Sequence, residues 1–480
     1  MNKKNIVTLF LVLFPLLIKA QNYNDALILS EPGLGASARA LGMGNSYTAL
    51  SEDFSAVFFN PAGLGLMKRL ELSTNISFDQ FNNDVDFINS RSKSDISNSS
   101  FSQIGFVFPI PTFRGSLVLA AGYNTQKEIN SIVAFKGFNN ATNSMIQDLT
   151  GLNEDLPYNL GLSYPVEDSD GNYLNDGTKI KGRLRQQGEI INEGDIGSWA
   201  FAGAIEIAKK MFFGAAFNIY SGSYIKSRKY TEYDEIDYYG SNIYLVPDDP
   251  ETADFQKFKL VDKVDWELSG YDLKFGWLYQ INKRVRLAAT FKLPTTFTVK
   301  EKYLVDGFSE FGNDISFKSE DEFDSEYDIK SPMEISFGSA YNIFNTIISG
   351  QVTYMDYSEI EFSDGFEKEE LSYKNEEIVE LLDNVLSYNV GIEYILPKLN
   401  VRLRTGFIYM QSPFKGDNSN FDKKYFTLGF GVLTSRLVSL DVGYAFGWWK
   451  SFSDNYGNGQ SRVYEDITTN KIMLSLSYRF

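Results

Sequence analysis

The 480-residue chain contains no cysteine and no histidine. The first absence removes disulfides and thiolate metal sites. The second removes the commonest metal ligand and the side chain that most often acts as a general base near neutral pH. Catalysis would have to run on carboxylates, lysines or tyrosines, and no nucleophile–base constellation is visible among them, so the chain reads as a non-enzyme with no cofactor and no metal. Long apolar runs are missing as well: beyond the N-terminus no stretch reaches the roughly 18 residues of a spanning helix. A basic surplus is also missing. Acidic residues number 62 against 45 basic ones, a net charge of −17, which excludes nucleic acid as a partner, because phosphates demand clustered cations.

What the chain has in abundance is aromatic side chains, 15% of it, with 39 Phe and 29 Tyr, residues that favour strands. From residue 69 onward hydrophobicity alternates with a period of two. Leu440, Val442, Tyr444, Phe446 and Trp448 alternate with Asp441, Gly443, Ala445 and Gly447, and Leu474, Leu476, Tyr478 and Phe480 alternate with Ser475, Ser477 and Arg479. The face opposite the apolar one carries too many Gly, Ser, Asp and Arg to pack as a dry core, so a soluble sandwich does not fit. An apolar exterior around a polar lumen does. The expectation is an all-β transmembrane antiparallel barrel of about fourteen strands with short turns at one end and long loops at the other. Long polar connections are expected at 82–100, 130–195, 231–254, 306–321, 358–383, 413–423 and 451–469, and short ones include 397–398 and 435–436.

Residues 1–20 read as an export signal, with Lys3 and Lys4 before an apolar core and Ala20 before the cut. Residues 21–68 read as a separate N-terminal hatch and 69–480 as the barrel. Within the hatch, residues 33–67 are dense in glycine and small side chains and centre on Asn60-Pro61-Ala62-Gly63. Gly35, Gly42, Gly44 and Gly63 interrupt any long helix there, at roughly 1 kcal/mol each, so the segment needs a surrounding wall. Two loops carry helical spacing of apolar residues, Met145, Ile146 and Leu149 in one and Ile378, Leu381, Leu382 and Val385 in the other. These stripes either pin the loops to the barrel rim or form an outer groove. The acidic turn at Asp168-Ser169-Asp170-Gly171-Asn172 lacks the closing glutamate of a calcium loop and reads as a solvated turn.

With Pro397-Lys398 as a two-residue turn, Glu393 faces Arg402 in the lumen as an ion pair, while Arg404 faces Gly391 and lacks an acid. That makes Arg404 the candidate cation for an anionic headgroup.

The segments Gly33-Leu34-Gly35, the Asp53 region and Asn60-Pro61-Ala62-Gly63 resemble the plug of the FadL/TodX family of outer-membrane transporters for hydrophobic compounds. So do Arg404-Thr405-Gly406, Ser412-Pro413, Phe426-Thr427-Leu428-Gly429, Leu440-Asp441-Val442-Gly443-Tyr444 and the terminal Tyr478-Arg479-Phe480. The resemblance implies a monomer in the outer membrane, in contact with its lipid, that passively takes up long-chain fatty acids or other hydrophobic compounds through a lumenal apolar pocket and releases them sideways. It implies gating by the extreme N-terminus, here Ala26, Leu27, Ile28 and Leu29, and by Asn60, Pro61 and Ala62 at the junction of hatch and wall. A related branch, resembling PorV, uses such a barrel as a subunit of a protein-secretion system, and a plugged structural porin is a further alternative.

Overall fold

A computed structural model describes residues 22–152, 154–434, 437–457 and 459–480. The export signal at 1–20 and the short turn at 435–436 lie outside the described residues.

The barrel begins with β1 (Glu71–Phe87), β2 (Ser90–Ile110) and β3 (Leu117–Asn139). A small separate hairpin follows outside the wall, β4 (Tyr164–Glu167) and β5 (Tyr173–Gly177). The wall then resumes with β6 (Leu184–Ala208), β7 (Met211–Tyr233), β8 (Phe255–Gln280), β9 (Val285–Lys292), β10 (Thr296–Phe311), β11 (Ser316–Lys330) and β12 (Glu334–Ile343). It ends with β13 (Thr346–Asp356), β14 (Glu361–Asp364), β15 (Asn384–Leu396), β16 (Val401–Met410), β17 (Lys423–Leu433), β18 (Val438–Asp454) and β19 (Arg462–Arg479).

β19 pairs antiparallel with β1 and closes the ring. Three wall strands are interrupted: β9 continues as β10, β11 as β12 and β13 as β14, which brings the barrel to 14 strands. The first two breaks hold Pro294 and Pro332, which donate no ladder hydrogen bond. Thr295 and Ser331 bridge the breaks instead: the Ser331 amide donates to Thr295 O at 2.9 Å and the Thr295 amide to Ser331 Oγ at 2.9 Å.

The faces follow the alternation. On β1, Leu72, Ile76 and Phe78 are exposed to the outside, while Ser73, Asn75 and Ser77 are buried within. The strands nevertheless rise beyond the segments that alternate. Residues 82–100, expected as a loop, are the upper halves of β1 and β2, paired up to Phe87↔Ser90. Above the lipid both faces of a strand are wet, so its residues are polar on both sides and the period vanishes although the ladder continues. The same holds for the ends of 130–195 and 306–321.

The expected register of one hairpin is wrong. The turn after β15 spans 397–400, with Leu396↔Val401 as the last pair, so Glu393 faces Arg404 and Ile395 faces Arg402. The two-residue slip preserves which face each side chain takes, and the alternation alone could not detect it.

The hatch consists of α1 (Tyr23–Ser30), α2 (Ala38–Gly42), α3 (Ala56–Phe59) and a 3-10 turn at Pro61–Leu66. Its backbone lies directly on the wall at beds of glycine. Gly391 and Gly406 are cross-strand partners beneath Met43 and Gly44. Gly214 and Gly276 are partners beneath Asn60 and Pro61, and Gly105 and Gly122 are partners beneath the Phe54 ring. A Cβ at any of these wall positions would overlap the hatch. The glycines of the hatch and the small residues of the inner face therefore have one cause, the close approach of two backbones.

At the loop end, α4 (Met145–Gly151), α5 (Asp155–Asn159) and α6 (Lys368–Leu381) pack over the lumen. Met145, Ile146, Ile378, Leu382 and Val385 are buried in the same apolar cluster as Ala26, Leu27 and Leu29 of α1. The helical stripes thus pin the loops into a roof.

Candidate functional site

α1 is set at the top of the lumen by a capping box: Asn22 accepts from the Asn24 amide at 2.8 Å, and Asp25 accepts from the Asn22 amide at 2.8 Å. Burial pushes the Asp25 carboxyl up to about 7. At the other end of the helix Glu31 lies 2.7 Å from Lys423 on β17 and 3.7 Å from Lys127 on β3. Burial works to raise the Glu31 carboxyl, but the two lysines outweigh it and hold the group at about 2. Lys127 also donates to Ile28 O at 2.7 Å.

Between α1 and the rest of the hatch is a cavity of about 140 Å³. Leu29, Leu34, Val57, Phe58 and Phe59 bound it from the N-terminal segment, and Phe297, Met355 and Met410 from the wall. Lys127, Lys274 and Lys292 face it among these apolar groups. Lys274 and Lys292 are direct cross-strand neighbours, an arrangement of like charges that needs compensation. Glu334 stands 3.4 Å from Lys274 and Asp272 3.2 Å from Lys292, and Lys274 donates to Phe58 O at 2.7 Å.

Beside this cavity the wall divides. The β2–β3 ladder stops at Gln103↔Asn124; above it β2 stays with β1 and β3 with β6. Each strand carries an extra residue at the parting: Ser102 is skipped in the β1 register and Gln126 in the β6 register. Bulges bend the strands that bear them. Across the divide Glu128 of β3 accepts from Ser77 at 2.6 Å and from Ser100, and pairs with Lys471, which also holds Asp79 at 2.9 Å.

The sequence-derived residues separate into three groups. Ala26, Leu27 and Leu29 are buried in the lumen with Ile28 packed against them, and of the four only Leu29 lines the cavity. Asn60, Pro61 and Ala62 are buried at the hatch–wall junction. Asn60 donates to Thr48 O at 2.9 Å and Trp277 O at 3.2 Å and accepts from the Ala62 amide at 3.0 Å; its amide is thus committed to the backbone on both sides of the junction.

Arg404 requires correction. It lies on the hatch side, fully buried, 2.7 Å from Glu393 and 2.6 Å from Asp441, with Arg39 of α2 3.2 Å from the same Glu393. The missing acid that singled it out is supplied by the true register. The residues overlooked were Glu31, Lys127, Lys274, Lys292 and Lys423. Lys274 had a legible signal, a long cation on the small-residue face between Leu273 and Phe275; the others depend on which strand ends meet α1. Asp168 spends its carboxylate on its own turn, accepting from the Asp170 and Asn172 amides at 2.8 and 2.9 Å.

A family model described as outer membrane protein transport protein (OMPP1/FadL/TodX) matches residues 18–480. Among solved structures, a Pseudomonas aeruginosa FadL homologue superposes with a TM-score of 0.58 at 12% identity, covering 94% of this chain and 99% of that one. The P. putida toluene transporter TodX superposes with a TM-score of 0.55 at 11% identity, covering 93% and 99%. At such identities the likeness concerns the fold. No curated protein matches the chain in sequence.

Proposed function

The chain belongs to the FadL/TodX family of outer-membrane transport proteins, and we propose that it takes up hydrophobic compounds passively, long-chain fatty acids first among them. The carrying observation is the cavity beneath α1, where Leu29, Val57, Phe58, Phe297, Met355 and Met410 offer an apolar surface faced by lysines, beside the parting of β2 and β3. An apolar ligand gains about 25 cal/mol per Å² buried there, on the order of 7 kcal/mol for about 300 Å². Binding of that size draws it from the polysaccharide-rich outer leaflet, which dissolves it poorly. Lys127 and Lys292 suit the carboxylate of an acid, and the parting beside Lys127 suits sideways release into hydrocarbon. In this reading α1 covers the cavity, Asn60-Pro61-Ala62 keeps the hatch seated, and the protein acts as a monomer.

The test is extraction and mass spectrometry of lipid copurifying with the barrel, together with uptake of labelled fatty acid by cells lacking it. Bound fatty acid and impaired uptake are expected. A deletion that spares uptake while abolishing secretion of other proteins would refute the reading in favour of a secretion subunit.

A further inference from the structure

A second cavity, of about 210 Å³, lies on the opposite side of the hatch, between it and the short-turn ends of β1, β16, β18 and β19. Its lining is cationic: Arg39 of the hatch, Arg69, Arg402 and Arg479 face it, against Asp53 and Asp441. The acids within reach are already engaged. Asp441 accepts from Arg404 at 2.6 Å and from Ser439 at 2.7 Å. Glu393 is shared by Arg39 and Arg404, Asp53 accepts from Tyr47 Oη at 2.6 Å, and Glu71 holds Arg479 at 2.6 Å.

Arg402 is left over. Its cross-strand neighbours are Ile395 and Gly431, neither of which can pair a guanidinium, and it has no hydrogen-bond or ion-pair partner among the described residues. Glu393 and Asp441 act on it only from beyond ion-pair distance and are already held by Arg39 and Arg404. A half-buried guanidinium beside three other arginines is unfavourable without a close counter-charge, since like charges near a protein surface repel by several kcal/mol at contact distances. The Ser475 and Ser477 hydroxyls complete the lining, and these can donate to a bound anion.

We infer that this cavity is a binding site for a small oxyanion, a phosphate or carboxylate group, held by the Arg402 fork with the serine hydroxyls and bridging wall to hatch. The site is distinct from the cavity beneath α1 and does not depend on what that cavity carries. Two sources offer this chemistry: a free periplasmic anion, or the head of an acid that has passed along the hatch.

The experiment titrates inorganic phosphate into the full chain in detergent micelles by calorimetry, with octanoate as competitor. Saturable one-site binding is expected, weakened at least about tenfold by Arg402→Gln, the equivalent of one charge-assisted bond, and retained in part by Arg402→Lys. Ser477→Asp, which places a carboxylate in the cavity without removing a guanidinium, is expected to abolish binding. Heat-modifiable mobility on gels reports whether each variant is folded. Displacement of phosphate by octanoate assigns the site to the head of a transported acid, and failure of displacement assigns it to a free anion. Absence of saturable phosphate binding by the wild type up to millimolar concentration overturns the proposal, as does unchanged affinity in folded Arg402→Gln.

Discussion

Arg404 and Arg402 stand two residues apart on one face of β16 and have opposite circumstances. Arg404 satisfies two buried carboxylates, so Arg404→Leu leaves Glu393 and Asp441 without their shared cation. Removing one partner of a buried pair costs about 3–5 kcal/mol, and the midpoint of urea unfolding in detergent is expected to fall accordingly. Arg402→Gln breaks no pair and removes a like charge, so in anion-free buffer the same midpoint should not fall. Glycine positions separate in the same way. At Gly276 a Cβ would overlap Asn60 Oδ1, whereas at Gly350 it would meet nothing within 4 Å. Gly276→Ala is expected to unseat the hatch and speed its proteolysis in an intact barrel, while Gly350→Ala changes nothing. The need for small residues on the inner face was legible in sequence; which glycine faced which hatch atom was not, because the partners meet only after the ring has closed around the hatch.

At the scale of the element, α1 carries two acids that titrate in opposite senses. The Asp25 carboxyl stands at about 7 against 3.8 when free. A raised acid favours the docked helix below about pH 4, and that contribution is lost as pH rises through about 7. Glu31 stands at about 2 against 4.5, so its contribution is present above about pH 4.5 and is lost as pH falls toward 2. The helix should therefore dock most firmly near pH 4–5 and loosen toward pH 8. Hydrogen exchange of the amides of Tyr23–Ser30 between about pH 5 and 8, corrected for intrinsic rates, would display the loss of protection. In Asp25→Asn the protection should become flat with pH, since Asn retains the capping acceptor; a slope that persists would assign the effect elsewhere. The parting of β2 and β3 belongs to this scale too. Its bulges at Ser102 and Gln126 leave no mark on the hydrophobic pattern, since one extra residue in a polar stretch of β2, or at the end of the clean alternation of β3, looks like ordinary sequence.

For the whole molecule, the hatch and the wall are joined by ion pairs at several heights, among them Arg39–Glu393 at 3.2 Å, Glu52–Arg286 at 2.8 Å and Glu31–Lys423 at 2.7 Å. Between these ties the hatch rests on the glycine beds and fills the lumen. Deleting residues 33–66 should leave a barrel that still assembles, because the ladder from β1 to β19 does not pass through the hatch. Single-channel recordings in planar bilayers are expected to show a marked rise in conductance. A deletion variant that folds and conducts no better than the wild type would mean that the roof of α4, α5 and α6, rather than the hatch, closes the pore.

The barrel itself was legible in the amino-acid order: which side chain points to lipid and which to the lumen, the strand count, and an N-terminal segment too rich in glycine to stand alone. These are local properties, set by a side-chain period of two and by the chemistry of the two solvents that the wall separates. The folded barrel alone set the register that pairs Arg404 with its acids and leaves Arg402 without a close ion pair, the parting of β2 from β3, and the meeting of Glu31 with Lys127 and Lys423. A slip of two residues costs the alternation nothing, and charges from distant strands meet only after the ring has closed, so none of this is encoded in any short stretch of the chain.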